Sequence, residues 1–126
     1  MISKLDSNFS FIEASLKALS QRQEILSSNI ANESTANFKA QDFDFKQAIS
    51  DAVSASAQSN GVGGVTETLP TSLSYVYSRK NTAGLDGNNV NIDEERREMT
   101  KNALKYESAV TLAQIDIKNL LNVLQG

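Results

Sequence analysis

The densest group of ionisable residues in the 126-residue chain is a run of mixed charge at positions 93–98. Paired carboxylates at such spacing could act as a general acid and a general base. The chain has no His and no Cys, which removes the commonest general base near neutral pH, thiolate nucleophiles and thiolate zinc ligands. A charged run in the first turns of a helix is more often solvated and matched to the helix dipole. We therefore predict no catalytic residue, no metal ligand and no cofactor.

Composition excludes several other classes of protein. The net charge of −3 argues against nucleic-acid binding, which requires a basic patch. The Gly-rich stretch at 61–64 lacks the Lys-Ser/Thr ending of a phosphate-binding loop. No run approaches the roughly 18 apolar residues of a membrane span. The first residues show no basic region followed by an apolar run, so we expect no cleaved secretory signal.

An N-terminal helix is predicted over residues 4–32. Apolar residues recur there with alternating spacings of four and three, which is the heptad pattern of a coiled coil. Gln23 is the only polar member of this stripe, which comprises Leu5, Phe9, Ile12, Leu16, Leu19, Gln23, Leu26 and Ile30.

A second heptad helix is predicted over residues 92–124. Asn91 is its expected N-cap, and Glu94 is the expected capping-box partner. Its stripe comprises Ile92, Arg96, Met99, Ala103, Tyr106, Val110, Ala113, Ile117, Leu120 and Leu124. We predict that the two helices pair within one chain through Leu5, Ile12, Leu16, Leu19, Leu26, Met99, Tyr106, Val110, Ile117 and Leu120.

Both helices carry apolar residues outside their stripes. On the first helix, Ala18 lies outside the stripe, midway between Phe11 and Ile25. On the second helix, Leu121 and Val123 lie outside the stripe, as do Leu104, Leu112 and Ile115. A helix that is apolar on several sides has several neighbours. A broad core face covered by the middle of the chain is one interpretation, but that middle is poor in apolar residues. We therefore predict intersubunit packing through Phe11, Ile25, Leu104, Leu112 and Ile115.

The middle of the chain, residues 33–90, is predicted to be small and irregular. Asp44 and Gln47 favour the start of a short helix that carries Phe45, Ile49 and Val53. Residues 54–72 have the composition of a flexible loop. Alternation of Leu73, Tyr75 and Tyr77 suggests one short strand, and Asp86-Gly87 a turn. The predicted fold is mainly α, one unit divided into an N-terminal helix at 1–32, this middle, and a C-terminal helix at 91–126.

The end of the first helix carries a distinctive polar turn. Short side chains there can satisfy local backbone groups. Asn37 is of a type that tolerates the left-handed conformation, and Phe38 would fold back onto apolar surface. The alternative interpretation is an ordinary helix stop. The residues of the turn motif are Asn29, Ile30, Ala31, Asn32, Thr35, Asn37, Phe38 and Lys39.

This turn resembles the signature of the flagellar axial proteins, the family of rod, hook and hook-associated subunits. The resemblance rests on NIAN at 29–32, FKA at 38–40, QDFDF at 41–45 and LDGNNVNIDEE at 85–95. It covers roughly residues 1–47 and 84–126, and it is nearest to the short proximal-rod subunits. The chain departs from the family at Ala36-Asn37, where Pro-Gly is usual. Asn can replace Gly where φ is positive, so we expect the turn to be retained.

The resemblance implies a structural subunit of the proximal rod, which transmits torque and surrounds the export channel. It implies export by the flagellar type III apparatus without signal cleavage and a final position in the rod within the periplasm. The implied partners are copies of the chain, other proximal-rod subunits, the adapter between rod and MS ring, and the export apparatus. Two helices alone bury little apolar surface, so we expect the free chain to be only partly ordered.

Other interpretations share part of this pattern. A cytoplasmic helical adaptor or export chaperone would have the same heptads, but it should fold and dimerise alone without needing the turn motif. A different short proximal-rod subunit would share both features. An enzyme using the acidic run would need a pocket, which two helices and a Gly/Ser-rich loop are poorly suited to build.

Overall fold

The computed structural model describes the backbone of residues 2–58 and 73–126 and the side chains of 7–55 and 74–126. Two long terminal helices account for most of it, as the heptad patterns predicted. A short helix and a two-stranded ribbon lie between them. The elements are α1 (Ile2–Ala31), β1 (Gln41–Phe43), α2 (Phe45–Gln58), a 3-10 turn (Leu73–Tyr75), β2 (Val76–Ser78) and α3 (Ile92–Gln125).

The long helices pack against each other in antiparallel orientation. Near one end of the pair, Asn29 of α1 donates a hydrogen bond to Glu95 of α3 over 3.0 Å. Further along, the Leu19 carbonyl accepts a hydrogen bond from Asn102 over 2.9 Å. The contact therefore moves backward along α1 as it moves forward along α3. The buried residues of α3 are Glu95, Asn102 and Ala109, spaced by seven.

The buried face of α3 overlaps the predicted stripe but is centred on Glu95, Asn102 and Ala109, each one residue before a member of that stripe. Of the residues predicted to pair within the chain, Met99 and Val110 are half-buried, whereas Tyr106, Ile117 and Leu120 are exposed. A search for apolar residues passes over Glu95 and Asn102, whose polar ends have partners inside the chain. On α1, Ile12, Leu19 and Leu26 are buried and Leu16 is half-buried, while the Leu5 side chain lies outside the described residues.

The middle segment contains an antiparallel ribbon and a capped helix. Gln41 of β1 lies opposite Ser78 of β2, and a 3-10 turn precedes β2, so the strand begins later than the Leu73 alternation predicted. Asp44 caps α2 as predicted, its Oδ1 accepting from the Gln47 N–H over 3.0 Å. The helix continues to Gln58, through the start of the predicted loop, and positions 59–72 of that loop lie outside the described residues.

This segment covers Ala18 and Ile25, two of the α1 residues outside the heptad stripe, but leaves Phe11 exposed. Ala18 is buried against Phe43 and Ala48, and the half-buried Ile25 packs onto the same cluster. Ile25, which was predicted to pack against a neighbouring subunit, is therefore partly covered by its own chain. Aromatic side chains make this possible despite the sparse apolar content, since the Phe43 and Tyr75 rings meet at 5.9 Å. The remaining partly buried members of the cluster are Phe45, Ile49 and Val76.

Candidate functional site

The turn after α1 has the backbone that its sequence predicted. Asn37 has φ of 63°, the left-handed conformation, and it is the one non-Gly residue with positive φ in the described part of the chain. Its N–H donates to the Asp86 carbonyl over 2.9 Å, and the Phe38 N–H donates to the Thr35 carbonyl over 3.2 Å. The turn is therefore joined to the segment that precedes α3 rather than standing alone.

A second left-handed residue packs directly against the first. Gly87 has φ of 79°, and a Cβ at this position would lie 2.3 Å from Asn37 Oδ1. Lys39 Nζ donates a hydrogen bond to the Gly87 carbonyl from the same side. Only a glycine combines this conformation with this approach.

Two consecutive asparagines hold the turn in place. Asn88 Nδ2 donates to the carbonyls of Asn32 at 2.8 Å and Thr35 at 2.7 Å, satisfying backbone groups at the end of α1. Asn89 Oδ1 accepts from the Ala40 N–H at 2.6 Å, while its amide donates to the Arg79 carbonyl at 3.1 Å. Both side chains are buried. The sequence indicated a turn here but gave no sign of these bridging contacts.

Asn29 acts as a side-chain substitute for a peptide group. Its amide donates to the Gln41 carbonyl at 2.6 Å, and its Oδ1 accepts from the Gln41 N–H at 3.0 Å. The Asn32 amide donates to the Ser28 carbonyl, and its Oδ1 accepts from the Thr35 hydroxyl. Of the remaining motif residues, Ile30 and Phe38 are half-buried and Ala31 is exposed.

Two arginines and four carboxylates converge beside this turn. Arg22 of α1 binds Asp42 through two hydrogen bonds of 2.9 and 3.2 Å and reaches Glu98 at 2.8 Å. Arg79 lies 2.9 Å from Asp42, 3.0 Å from Glu95 and 3.2 Å from Glu94. We call the set Arg22, Asn29, Asp42, Arg79, Glu94, Glu95 and Glu98 the polar junction.

The polar junction corrects the interpretation of the charged run as a solvated helix end for its glutamates, whereas Asp93, Arg96 and Arg97 are exposed as expected. Glu95 is 0% exposed, and Glu94 and Glu98 are half-buried. Asn91 caps α3 as predicted, but the Glu94 carboxylate bonds to Asn81 and Arg79 instead of completing a capping box. No apolar pattern marks these residues, since their arginine partners come from distant parts of the chain.

The carboxylates of the junction have unlike environments. Burial raises the pKa of Glu95, and the nearby Asn29 amide and Arg79 offset this only in part. Burial also raises the pKa of Asp42 and Glu98, but hydrogen bonds, chiefly from Arg22, outweigh it, so the pKa of each is lowered overall. Arg79 Nη1 and Glu95 Oε1 are in charge contact without the alignment of a hydrogen bond.

This arrangement is suited to holding segments together. Each carboxylate is engaged by a guanidinium or amide from another segment, so α1, the ribbon and α3 are tied at one place. Among the residues that the structure describes, no three acidic side chains are grouped to hold a metal ion. The depression lined in part by Asn81 and Glu94 is largely open to solvent.

A second feature lies at the opposite end of the long helices. Seven large apolar residues are exposed on the last turns of α3 and spread over about 240° of its circumference at 100° per residue. Leu104 and, on α1, Phe9 and Phe11 are also exposed. We call the set Leu112, Ile115, Ile117, Leu120, Leu121, Val123 and Leu124 the apolar segment of α3.

No helix within the described ranges is long and apolar enough to cross a membrane. The apolar segment is interrupted by Gln114, Asp116, Lys118 and Asn119.

Comparison with known proteins gives one consistent family. A family model described as "Flagella basal body rod protein" matches residues 14–39, which include the whole turn motif. The flagellar basal body rod protein FlgB of Salmonella typhimurium is 33% identical over 138 residues, covering 100% of this chain and 99% of its own length. FlgB of Buchnera aphidicola is 34% identical, with 100% of both chains covered, and FlgB of Escherichia coli K12 is 31% identical, with 100% and 99% covered. Because these similarities extend from end to end, the chain belongs to the family of flagellar basal body rod protein FlgB.

Proposed function

We propose that this protein is a structural subunit of the proximal rod of the bacterial flagellar basal body. It forms part of the shaft that transmits torque and surrounds the export channel. Similarity to rod proteins over the full chain supports this role. So does the internal organisation, in which one end of the helix pair is tied by buried polar contacts and the other presents apolar side chains.

The observation that carries the proposal is the apolar segment of α3. Large side chains exposed around most of a helix indicate more than one packing neighbour. Leu112 is 55% and Ile115 is 48% exposed, so neither is satisfied within the chain. We propose that Phe11, Leu104, Leu112 and Ile115 pack against adjacent subunits, and that the whole chain acts as one axial unit.

The neighbours follow from the same proposal. Copies of this chain and other proximal-rod subunits cover the apolar segment, and the adapter between rod and MS ring meets the base of the assembly. The flagellar type III apparatus exports the chain without signal cleavage, and the rod then holds it within the periplasm. The protein performs no catalysis in this role, since the acidic residues of the polar junction are used in internal ion pairs.

Isolation of envelope-spanning particles tests the proposal. A tagged chain is expressed at native level, cell envelopes are extracted with detergent, and large assemblies are separated by sedimentation. We expect the chain to sediment with these assemblies and to resist a salt wash, because apolar contacts are not screened.

The control is the same preparation from cells unable to build the basal body, in which the chain should not sediment. Recovery of the wild-type chain as a stable dimer in the soluble fraction would contradict the proposal and favour a cytoplasmic helical adaptor.

A further inference from the structure

A polar pair lies inside the contact between α1 and α3, on the side of the polar junction facing the apolar segment. Gln23 is the only polar member of the α1 heptad stripe. Asn102 is 1% exposed. The Asn102 amide donates to Gln23 Oε1 at 2.8 Å and to the Leu19 carbonyl at 2.9 Å. One side chain of α3 therefore recognises both the backbone and a side chain of α1.

This pair is a poor choice if stability alone is considered. Asn102 Oδ1 is buried and has no hydrogen-bond partner among the described residues. A buried acceptor without a partner keeps its full desolvation cost, whereas two leucines would bury apolar surface at no such cost. Buried polar pairs of this kind are best attested as determinants of register and partner choice in paired helices.

The register of the two helices depends on residues of this type. Glu95 lies seven residues before Asn102 and Ala109 lies seven after it, so all three share one face of α3. Sliding α3 by one heptad would place Ala109 beside Leu19 and carry Asn102 away from the Leu19 carbonyl. A similar slide leaves the apolar contacts around Ile12 and Ala109 nearly equivalent, because apolar side chains accept many arrangements. Only the polar residues distinguish the correct register from a shifted one.

We propose that Gln23 and Asn102 fix the register of α1 against α3 and make each helix choose the helix of its own chain. Without them, the two apolar stripes would also pair one heptad out of register and with α1 or α3 of another copy. This inference does not rest on the proposed function, because it concerns how a single chain pairs its own helices.

Engineered disulfides in the purified full-length chain measure register directly, since the protein has no Cys of its own. The correct register is reported by Ile12→Cys with Ala109→Cys, one heptad along both helices from the Leu19–Asn102 contact. The shifted register is reported by Leu19→Cys with Ala109→Cys, which are about 10 Å apart along the helix axis in the correct register. All three positions are buried. Monomer and dimer bands on a non-reducing gel separate pairing within a chain from pairing between chains.

In the parent, we expect the correct-register pair to form an intrachain disulfide and the shifted pair to remain reduced. Gln23→Leu with Asn102→Leu should raise the shifted and interchain disulfides about fivefold or more, with helix content and melting temperature unchanged or higher. Gln23→Asn with Asn102→Gln restores an amide pair and should return most of the correct register. Gln114→Leu with Asn122→Leu adds the same bulk at exposed positions and should leave the register unchanged.

Three outcomes would overturn the proposal. The first is a leucine pair that keeps the correct register alone. The second is a leucine pair that loses its helix, because the amides would then be needed for stability instead. The third is a parent that forms no intrachain disulfide through its correct-register pair.

Discussion

The two halves of the α1–α3 pair are held together by different chemistry. In the half beside the turn, the contacts are directional: Arg22 reaches Glu98, and Asn29 reaches Glu95. In the other half, the buried residues are small or aliphatic, as at Ile12 and Ala109, and large side chains beyond them are exposed.

The two kinds of contact differ in how many arrangements of the helices they allow. Directional contacts with buried charges permit few alternative arrangements, since each misplaced partner leaves a charge unpaired at a cost of several kcal/mol. Apolar contacts are worth energy in proportion to area and accept many partners. The junction half therefore defines the fold of the single chain, and the distal half has the exposed apolar surface on which we propose that neighbouring subunits pack.

The largest expected effect comes from a charge in the distal half. Leu112→Asp should abolish swimming while the chain is still exported, because an exposed site tolerates the change but a packed intersubunit contact would bury an unpaired carboxylate. Gln114→Asp places the same charge two residues away at an exposed polar position and should swim normally. Motility in soft agar and the amount of exported chain are the measurements. Normal swimming of Leu112→Asp would refute the intersubunit contact.

Removal of one guanidinium tests the junction half. Arg79→Ala should lower the free energy of unfolding by about 3–5 kcal/mol, because Asp42 and Glu95 lose a buried counter-charge. Lys101→Ala removes the exposed partner of Glu98 and should cost less than about 1 kcal/mol. Urea unfolding followed by circular dichroism gives both values. Equal losses for the two variants would show that the junction is no stronger than a surface ion pair.

A substitution at the contact between the left-handed residues Asn37 and Gly87 should have a smaller, local effect. Gly87→Ala should cost about 1–2 kcal/mol for the positive φ alone, with a further cost from the contact with Asn37. Gly84→Ala in the same loop has no positive φ, and its Cβ would lie 3.3 Å from an Asp86 oxygen. Its cost should stay under about 1 kcal/mol. Indistinguishable urea midpoints for the two variants would argue against the close approach of Asn37 and Gly87.

The pH dependence of stability should be small and two-sided. The pKa of Asp42 is lowered in the folded state. Its contribution to the free energy of unfolding is therefore present above about pH 4 and is lost as pH falls through the pKa of the folded state. The pKa of Glu95 is raised, so its contribution is present below about pH 4 and is lost as pH rises through its folded value.

Urea midpoints between pH 3 and 8 check both signs. In the plot of stability against pH, Asp42→Asn should reduce the loss of stability at acid pH, and Glu95→Gln should reduce the loss as pH rises. Each change should amount to about 1.4 kcal/mol for each unit by which the pKa differs between the folded and unfolded states. Glu24→Gln is exposed and should leave the profile unchanged. A wild-type profile that Glu95→Gln does not alter would contradict the burial argument.

Features encoded locally could be predicted from the sequence. Heptad spacing located both long helices, Asn91 marked the start of α3, and the residue type at Asn37 indicated a left-handed turn. Each depends on a few neighbouring residues and on the geometry of one element. The short helix α2 was predicted for the same reason, from the cap at Asp44.

Features that depend on distant partners could not be predicted in the same way. Strand β1 has three residues and no alternation to reveal it, and its register depends on a partner 35 positions later at Val76–Ser78. Glu95 and Asn102 are polar and interrupt the apolar pattern, so the predicted buried face of α3 did not include them. The covering of Ile25 depended on aromatic residues whose position the ribbon determines.

The antiparallel course of α1 and α3 has a mechanical consequence. Their outer ends, at Ile2 and Gln125, both lie away from the turn, roughly 45 Å along each helix at 1.5 Å per residue. A load that separates these ends acts on one helical turn at a time, and it meets the apolar contacts first and the ion pairs last. The chain should therefore peel open at low force from its ends and stop at the junction, whereas the same junction opposes a load applied at the turn from the outset.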